Sequence, residues 1–111
     1  MSTPTTPFPF HEDPGHGWIQ VPVALLHDLG IADCITGYSY VSRDGRTAFL
    51  EEDCDYSTFH VAWEKRHGSR PPTETIHYDY DAPMRQMRGY PAAEGAYERG
   101  DAYQREHQIA A

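Results

Sequence analysis

The sequence predicts an α+β domain, a small antiparallel sheet of three to four strands with two helices on one face. Three observations predict this fold class. Short apolar runs are separated by glycine turns, an Asp-Gly pair joins two of these runs, and two segments repeat apolar residues at helical spacing. The 111 residues suffice for one domain, and no apolar run approaches the roughly 18 residues that span a membrane.

The first elements follow a proline-rich start. Residues 1–14 contain four prolines, each of which removes a backbone donor and fixes φ, so they predict a flexible arm. Residues 18–21 then predict a short strand. Pro22 suits the first turn of a helix, and Gly30 suits its end.

Three more strands are expected. Residues 38–41 and 47–50 predict a hairpin, because Asp44-Gly45 between them favours a tight turn. Residues 76–81 alternate between apolar and polar side chains, which is typical of a half-buried strand. The residues expected to face the core on that strand are Ile76, Tyr78 and Tyr80.

A second helix is expected between the hairpin and the last strand, with Asp53 or Asp55 as its N-cap and Gly68 at its end. Its apolar stripe consists of Tyr56, Phe59, Ala62 and Trp63. Residues 83–111 are rich in Gln, Glu, Arg and Gly, so they predict a polar tail that is weakly helical or disordered. The compact domain is therefore expected over residues 15–82.

The net charge of −8 is concentrated in one half of the chain. Residues 1–60 carry nine acidic and two basic side chains, whereas the remainder is nearly balanced. This charge argues against nucleic acid as a direct ligand and favours a basic partner surface. Residues 1–10 contain no basic residue and no apolar core of a signal peptide, so we expect a cytoplasmic protein with Cys34 and Cys54 as reduced thiols.

The densest charge lies at residues 51–55, which hold four carboxylates. One interpretation is structural: these acids cap the second helix and meet its positive end. A second is a metal site formed with His16, His60 or His77, although the sequence contains neither HExxH nor H-x-H. No cofactor is predicted from these residues.

The third interpretation of these carboxylates is a binding surface. Residues two apart on a strand are about 6.6 Å apart, which is close to the spacing of successive phosphates. Asp79 and Asp81 repeat this spacing on the last predicted strand. A row of such carboxylates would engage Arg and Lys side chains that normally hold phosphates.

Five short motifs also occur in order: Gly15-His16-Gly17-Trp18, Val21-Pro22, Leu29-Gly30-Ile31, Tyr38-Ser39-Tyr40 and Leu50-Glu51-Glu52-Asp53-Cys54-Asp55. Together they resemble an uncharacterised family of small proteins of phages, prophages and plasmids of GC-rich bacteria. The resemblance covers about Gly15 to Trp63, and the last motif is its most specific part. It implies a mobile genetic element, a setting in which small acidic proteins are often anti-CRISPR or anti-restriction inhibitors. It implies no catalytic residue.

We therefore predict a non-enzymatic acidic inhibitor that docks on a basic, nucleic-acid-binding surface of a host defence complex such as a CRISPR effector. The predicted contact residues are Glu51, Glu52, Asp53, Asp55, Asp79 and Asp81. The core residues expected to support them are Trp18, Leu25, Leu29, Tyr40, Phe49, Phe59 and Trp63. Two alternatives stay open: a small metal-dependent hydrolase that uses the 51–55 carboxylates with His16 or His60, and an accessory protein that acts as a homodimer.

Overall fold

The protein is described by a computed structural model that covers residues 6–108. The strands are β1 (Phe8–Glu12), β2 (Gly17–Pro22), β3 (Tyr40–Val41), β4 (Thr47–Glu51), β5 (Thr73–His77) and β6 (Arg88–Gly89). The helices are α1 (Val23–Asp28), α2 (Asp55–His67) and α3 (Ala96–His107), with short 3-10 helices at Ala32–Cys34 and Pro83–Gln86. The predicted α+β class is confirmed.

The six strands form one mixed sheet in the order β5-β1-β2-β4-β3-β6. Neighbouring strands are antiparallel except β1 and β5, which are parallel. The sheet is therefore larger than the predicted three to four antiparallel strands. The additional strands β1 and β6 come from residues that the sequence places outside the compact domain.

The flexible arm predicted over residues 1–14 is wrong where the structure describes it, because Phe8–Glu12 forms β1 between β2 and β5. The side chains of Phe8 and Phe10 pack against the main hydrophobic core, and this burial outweighs the poor strand propensity of the neighbouring prolines. The remaining part of the predicted arm, residues 1–5, lies outside the described residues.

Pro9 fits into β1 because of the direction of its nitrogen. Phe8 donates its N–H to Pro72 and Glu12 accepts from Tyr78, so these alternate residues of β1 bond toward β5. The nitrogen of Pro9 therefore faces β2, where the pairing begins only at Phe10. The proline thus ends one ladder without interrupting the other.

One face of the sheet is covered by α1 and α2. Its core contains Ile19, Val21 and Leu50 from the strands, Leu26 from α1, and Phe59, Ala62 and Trp63 from α2. The predicted apolar stripe of α2 is therefore confirmed, with Tyr56 half-buried at its end. Gly68 ends α2 with φ of +77°, a conformation that side chains other than glycine rarely adopt.

The opposite face is covered by the segment that follows β5. Trp18 and Phe49 pack there against Ala82 and Met84. The predicted core residues Trp18, Leu29, Phe49, Phe59 and Trp63 are buried, and Leu25 and Tyr40 are partly buried.

The last predicted strand, residues 76–81, is shifted in the structure to Thr73–His77. The parallel pairing with β1 sets this register, and it stops where β1 ends at Glu12. As a result Ile76 and Tyr80 do not face the core: 40 % of Ile76 and 85 % of Tyr80 is exposed. All five residues of this edge strand are exposed.

Residues 83–111 were expected to form a polar tail that is weakly helical or disordered. The described part does contain a helix, α3, but it is not a free tail, because α3 packs against α2 and the 3-10 helix at Ala32–Cys34. Gly100 permits this contact, since a Cβ there would lie 2.8 Å from the carbonyl oxygen of Cys34. Gly100 lowers the helix propensity of this segment, but the close packing of α3 on Cys34 requires a glycine at this position. No helix among the described residues is long and apolar enough to cross a membrane.

Candidate functional site

A cleft of about 510 Å³ lies between the β4–α2 connection, the segment before β3, and α3. Its walls carry four carboxylates and one guanidinium. Its lining includes His16, Trp18, Tyr38, Tyr40, Glu51, Asp53, Asp55, Arg85, Tyr97 and Asp101. The cleft therefore combines acidic and aromatic side chains.

The carboxylate of Glu51 forms the inner acidic wall. Glu51 ends β4, and only 13 % of its side chain is exposed, so burial raises the pKa of Glu51 above its usual value. Its Oε2 accepts the N–H of Asp53 at 2.9 Å, and its Oε1 lies 3.4 Å from Nδ1 of His16. Both Glu51 and Asp53 line the cleft.

Asp13 positions two other parts of the wall. Its buried carboxylate accepts hydrogen bonds from the guanidinium of Arg85 at 2.7 and 2.9 Å and from the N–H of His16 at 3.0 Å. The ion pair with Arg85 holds the pKa of Asp13 far below its usual value. The guanidinium carbon of Arg85 also lies 5.0 Å from the ring centre of Trp18, a cation–π contact.

Asp55 is not available to a partner, which corrects the prediction that it is a contact residue. Only 1 % of Asp55 is exposed. Its carboxylate accepts the N–H and the hydroxyl of Thr36 and the hydroxyl of Ser39. Ser39 Oγ in turn accepts the N–H of Glu51 at 3.0 Å, so Asp55 acts internally by fixing the backbone of Glu51.

The capping prediction for α2 is wrong as well. Cys54 is the N-cap and makes no side-chain capping hydrogen bond, and Asp55 is the first helical residue. The carboxylate of Asp55 accepts hydrogen bonds from the segment before β3 instead of from its own helix. The hydroxyl groups of Thr36 and Ser39 are buried beside it and need an acceptor. Burial raises the pKa of Asp55 despite these bonds.

Exposed tyrosines form the aromatic part of the cleft. Tyr38 is 69 % exposed and Tyr97, from α3, is 59 % exposed. Tyr40 lies deeper, with its ring centre 6.1 Å from that of Trp18. Exposed aromatic rings beside carboxylates suit a cationic ligand, since a ring face and a carboxylate both attract positive charge.

The other predicted contact residues lie elsewhere. Glu52 is exposed and lines a groove between α2 and α3. Asp79 and Asp81 are exposed but follow the end of β5, so they do not form the predicted row of strand carboxylates. Asp81 is 3.9 Å from Arg85, and neither it nor Asp79 lines the cleft.

The histidines considered as metal ligands are also separated. One ligand atom each of His16, Glu51 and Asp53 lies within 4.8 Å of the others. His60 packs near Tyr56 on α2 and lines the groove with Glu52 instead. His77, at the end of β5, faces Glu12 of β1 and Asp79 just beyond β5.

Neither cysteine provides a reactive thiol. Cys34 and Cys54 are free thiols. Burial, together with the negative charge of Asp55, raises the pKa of Cys54 to about 11. Its thiol is therefore protonated near neutral pH, which disfavours nucleophilic chemistry in this cleft.

Sequence reasoning missed Tyr38, Arg85, Tyr97 and Asp101 as site residues. The two that belong to α3 lie in the segment interpreted as a tail, so no contact with residues 51–55 was expected. The sequence does contain a signal for them, since Tyr97 and Asp101 are four residues apart and share one face of a helix.

No protein-family model, curated protein or solved structure matches the chain.

Proposed function

We propose that this protein is a binding module whose acidic and aromatic cleft takes a basic segment of a partner protein. The observation that carries the proposal is the combination in one cleft of Glu51, Asp53 and Asp101 with the exposed rings of Tyr38 and Tyr97. An arginine or lysine side chain entering it would gain both ion pairs and cation–π contacts.

Arg85, the basic side chain in the cleft, leaves Glu51 and Asp53 available to a cationic ligand. Arg85 is bound by the buried carboxylate of Asp13, so it does not neutralise Glu51 or Asp53. Asp101 has an exposed partner, Arg105 at 3.3 Å, and exposed pairs of this kind are weak and easily exchanged. A cationic ligand would therefore meet a wall with an excess of negative charge.

For the partner we propose a basic, nucleic-acid-binding surface of a host defence complex in the bacterial cytoplasm, with no direct binding of nucleic acid. Two observations support this choice. The net charge of −8 speeds encounter with basic surfaces. The motifs over residues 15–63 resemble proteins of mobile genetic elements, whose small acidic members often block such complexes.

The test compares two isosteric double variants that remove the same charge. Asp53→Asn/Asp101→Asn neutralises the cleft, and Glu74→Gln/Asp79→Asn neutralises exposed acids outside it. Binding of an arginine-rich peptide is measured by isothermal titration calorimetry at about 50 and 200 mM salt. We expect the cleft variant to lose about fivefold to tenfold in affinity, because two ion pairs are removed, and the control variant to lose less than about twofold.

Equal losses in the two variants would contradict the proposal, because affinity would then depend on net charge alone. An acidic peptide of the same length serves as the negative control. Capture of a host protein that is released by competing DNA or RNA would support the choice of partner, and capture unaffected by either would contradict it.

A further inference from the structure

Three side chains with different metal-binding atoms meet at one end of the cleft. His16 Nδ1 and Glu51 Oε1 are 3.4 Å apart, and an oxygen of Asp53 lies within 4.8 Å of the other ligand atoms. Two ligands about 2.1 Å from a tetrahedral ion are themselves about 3.4 Å apart. We propose that His16, Glu51 and Asp53 bind a divalent transition-metal ion, with Zn²⁺ as the best match.

Two of the three ligands are supported by hydrogen bonds without an ion. The loop that carries His16 is fixed because Asp13 accepts the backbone N–H groups of Gly15 and His16, each at 3.0 Å. Glu51 is oriented because its Oε2 accepts the N–H of Asp53, which leaves Oε1 facing the imidazole. A site arranged in advance loses less conformational entropy when the ion binds.

One carboxylate and one N–H group of this wall are buried. Only 13 % of the Glu51 side chain is exposed, and its ion-pair partner among the described residues is the exposed His16. Trp18 lines the same cleft, is 2 % exposed, and its buried Nε1–H has no acceptor among residues 6–108. A bound cation would balance the buried charge of Glu51, and water in the cleft would give the Trp18 N–H an acceptor.

The ligand set selects the class of ion. An imidazole nitrogen favours Zn²⁺ and similar transition metals over Mg²⁺ and Ca²⁺, which take oxygen ligands. Three protein ligands leave a position open for water or for a donor from a bound molecule. The site shares Glu51 and Asp53 with the proposed peptide cleft, so a bound ion and a basic segment would compete for these carboxylates. Zn²⁺ binding is therefore measured without the peptide.

His77 provides a matched control. It also lies beside two carboxylates, but its Nδ1 faces Glu12 at 3.4 Å and its Nε2 faces Asp79 at 3.5 Å. Opposite ring nitrogens point in different directions, so these three residues do not surround one ion. His77→Ala therefore removes a histidine that also lies beside two carboxylates, and it leaves His16, Glu51 and Asp53 in place.

The test titrates ZnCl₂ into the full chain after treatment with a chelator, using calorimetry, with circular dichroism to check the fold of each variant. We expect one saturable site in the wild type. His16→Ala and Asp53→Asn should each weaken Zn²⁺ binding by at least about tenfold, and His77→Ala by less than about twofold. Asp53→Asn keeps the side-chain shape and thus separates ligand loss from misfolding.

Several results would overturn the metal site: no saturable Zn²⁺ binding to the wild type, equal binding to His16→Ala, loss of binding in His77→Ala, or Mg²⁺ bound as tightly as Zn²⁺. The two proposals fail separately. Loss of peptide affinity in Asp53→Asn/Asp101→Asn with no Zn²⁺ site supports the binding module alone, whereas a Zn²⁺ site without peptide binding supports the metal site alone.

Discussion

At the scale of single residues, buried and exposed carboxylates of this acidic chain have different roles. Asp13 and Asp55 are enclosed and saturated with donors, whereas Asp53, Asp79 and Asp81 are exposed. The sequence does not separate the two classes, because an aspartate in a charged run and one beside a turn look alike. Burial decides which carboxylates hold the fold and which remain free to meet a ligand.

Asp13 gives a prediction about stability and pH. Its folded-state pKa is lowered, so its contribution is present above the unfolded pKa of about 3.9 and is lost as the pH falls below that value. Asp13→Asn should reduce the free energy of unfolding by about 2–3 kcal/mol at pH 7, since the ion pair with Arg85 is broken. Urea unfolding at pH 7 and at lower pH measures this difference, which should shrink in acid.

Asp81→Asn is the control for that measurement. Asp81 also faces Arg85, but at 3.9 Å and with 84 % of its side chain exposed. Its replacement should change the free energy of unfolding by less than about 0.5 kcal/mol. If Asp81→Asn destabilises as much as Asp13→Asn, the buried pair does not hold the loop that carries His16.

At the scale of elements, the structure agrees with the sequence where the signals are local. β2, α1, the β3–β4 hairpin and α2 all have their turn or cap residues within a few positions. β1 and β5 were not recognised correctly because their pairing joins residues about 65 positions apart. Strand propensity depends on local sequence and does not predict such distant contacts. Pro9 also disfavours a strand, although tertiary packing places one there.

The helix α3 gives a prediction at this scale. Gly→Ala in a helix normally stabilises it by about 1 kcal/mol. Gly100→Ala should instead destabilise the protein by about 1–3 kcal/mol, because the added Cβ would lie 2.8 Å from the Cys34 carbonyl oxygen and 3.2 Å from Thr58 Oγ1. Urea unfolding at neutral pH gives the value.

The control for the helix is Glu106→Ala, an exposed position on α3 that should shift the free energy of unfolding by less than about 0.5 kcal/mol. A Gly100→Ala variant more stable than the wild type would show that α3 does not pack closely on Ala32–Cys34. The wall of the cleft that carries Tyr97 and Asp101 would then lack its support.

At the scale of the whole molecule, the cleft is assembled from four distant parts of the chain. The turn before β2 supplies His16, and the segments around β3 and β4 supply tyrosines and acids. The 3-10 helix at Pro83–Gln86 supplies Arg85, and α3 closes the side. Glu51 and Asp53 were predicted from the local charge, but the aromatic half required α3 and could not be inferred from a motif. The homodimer remains an untested prediction, which light scattering at several concentrations would decide.

The most direct test of the binding module is to titrate an arginine-rich peptide into the ¹⁵N-labelled protein and follow amide shifts by NMR. If the cleft binds the peptide, we expect saturable shifts of the amides around it, at Tyr38, Asp53, Tyr97 and Asp101. The amide signal of Tyr80, an even more exposed tyrosine outside the cleft, should not shift. Changes centred on Asp79 and Tyr80, or spread evenly over the acidic surface, would contradict it.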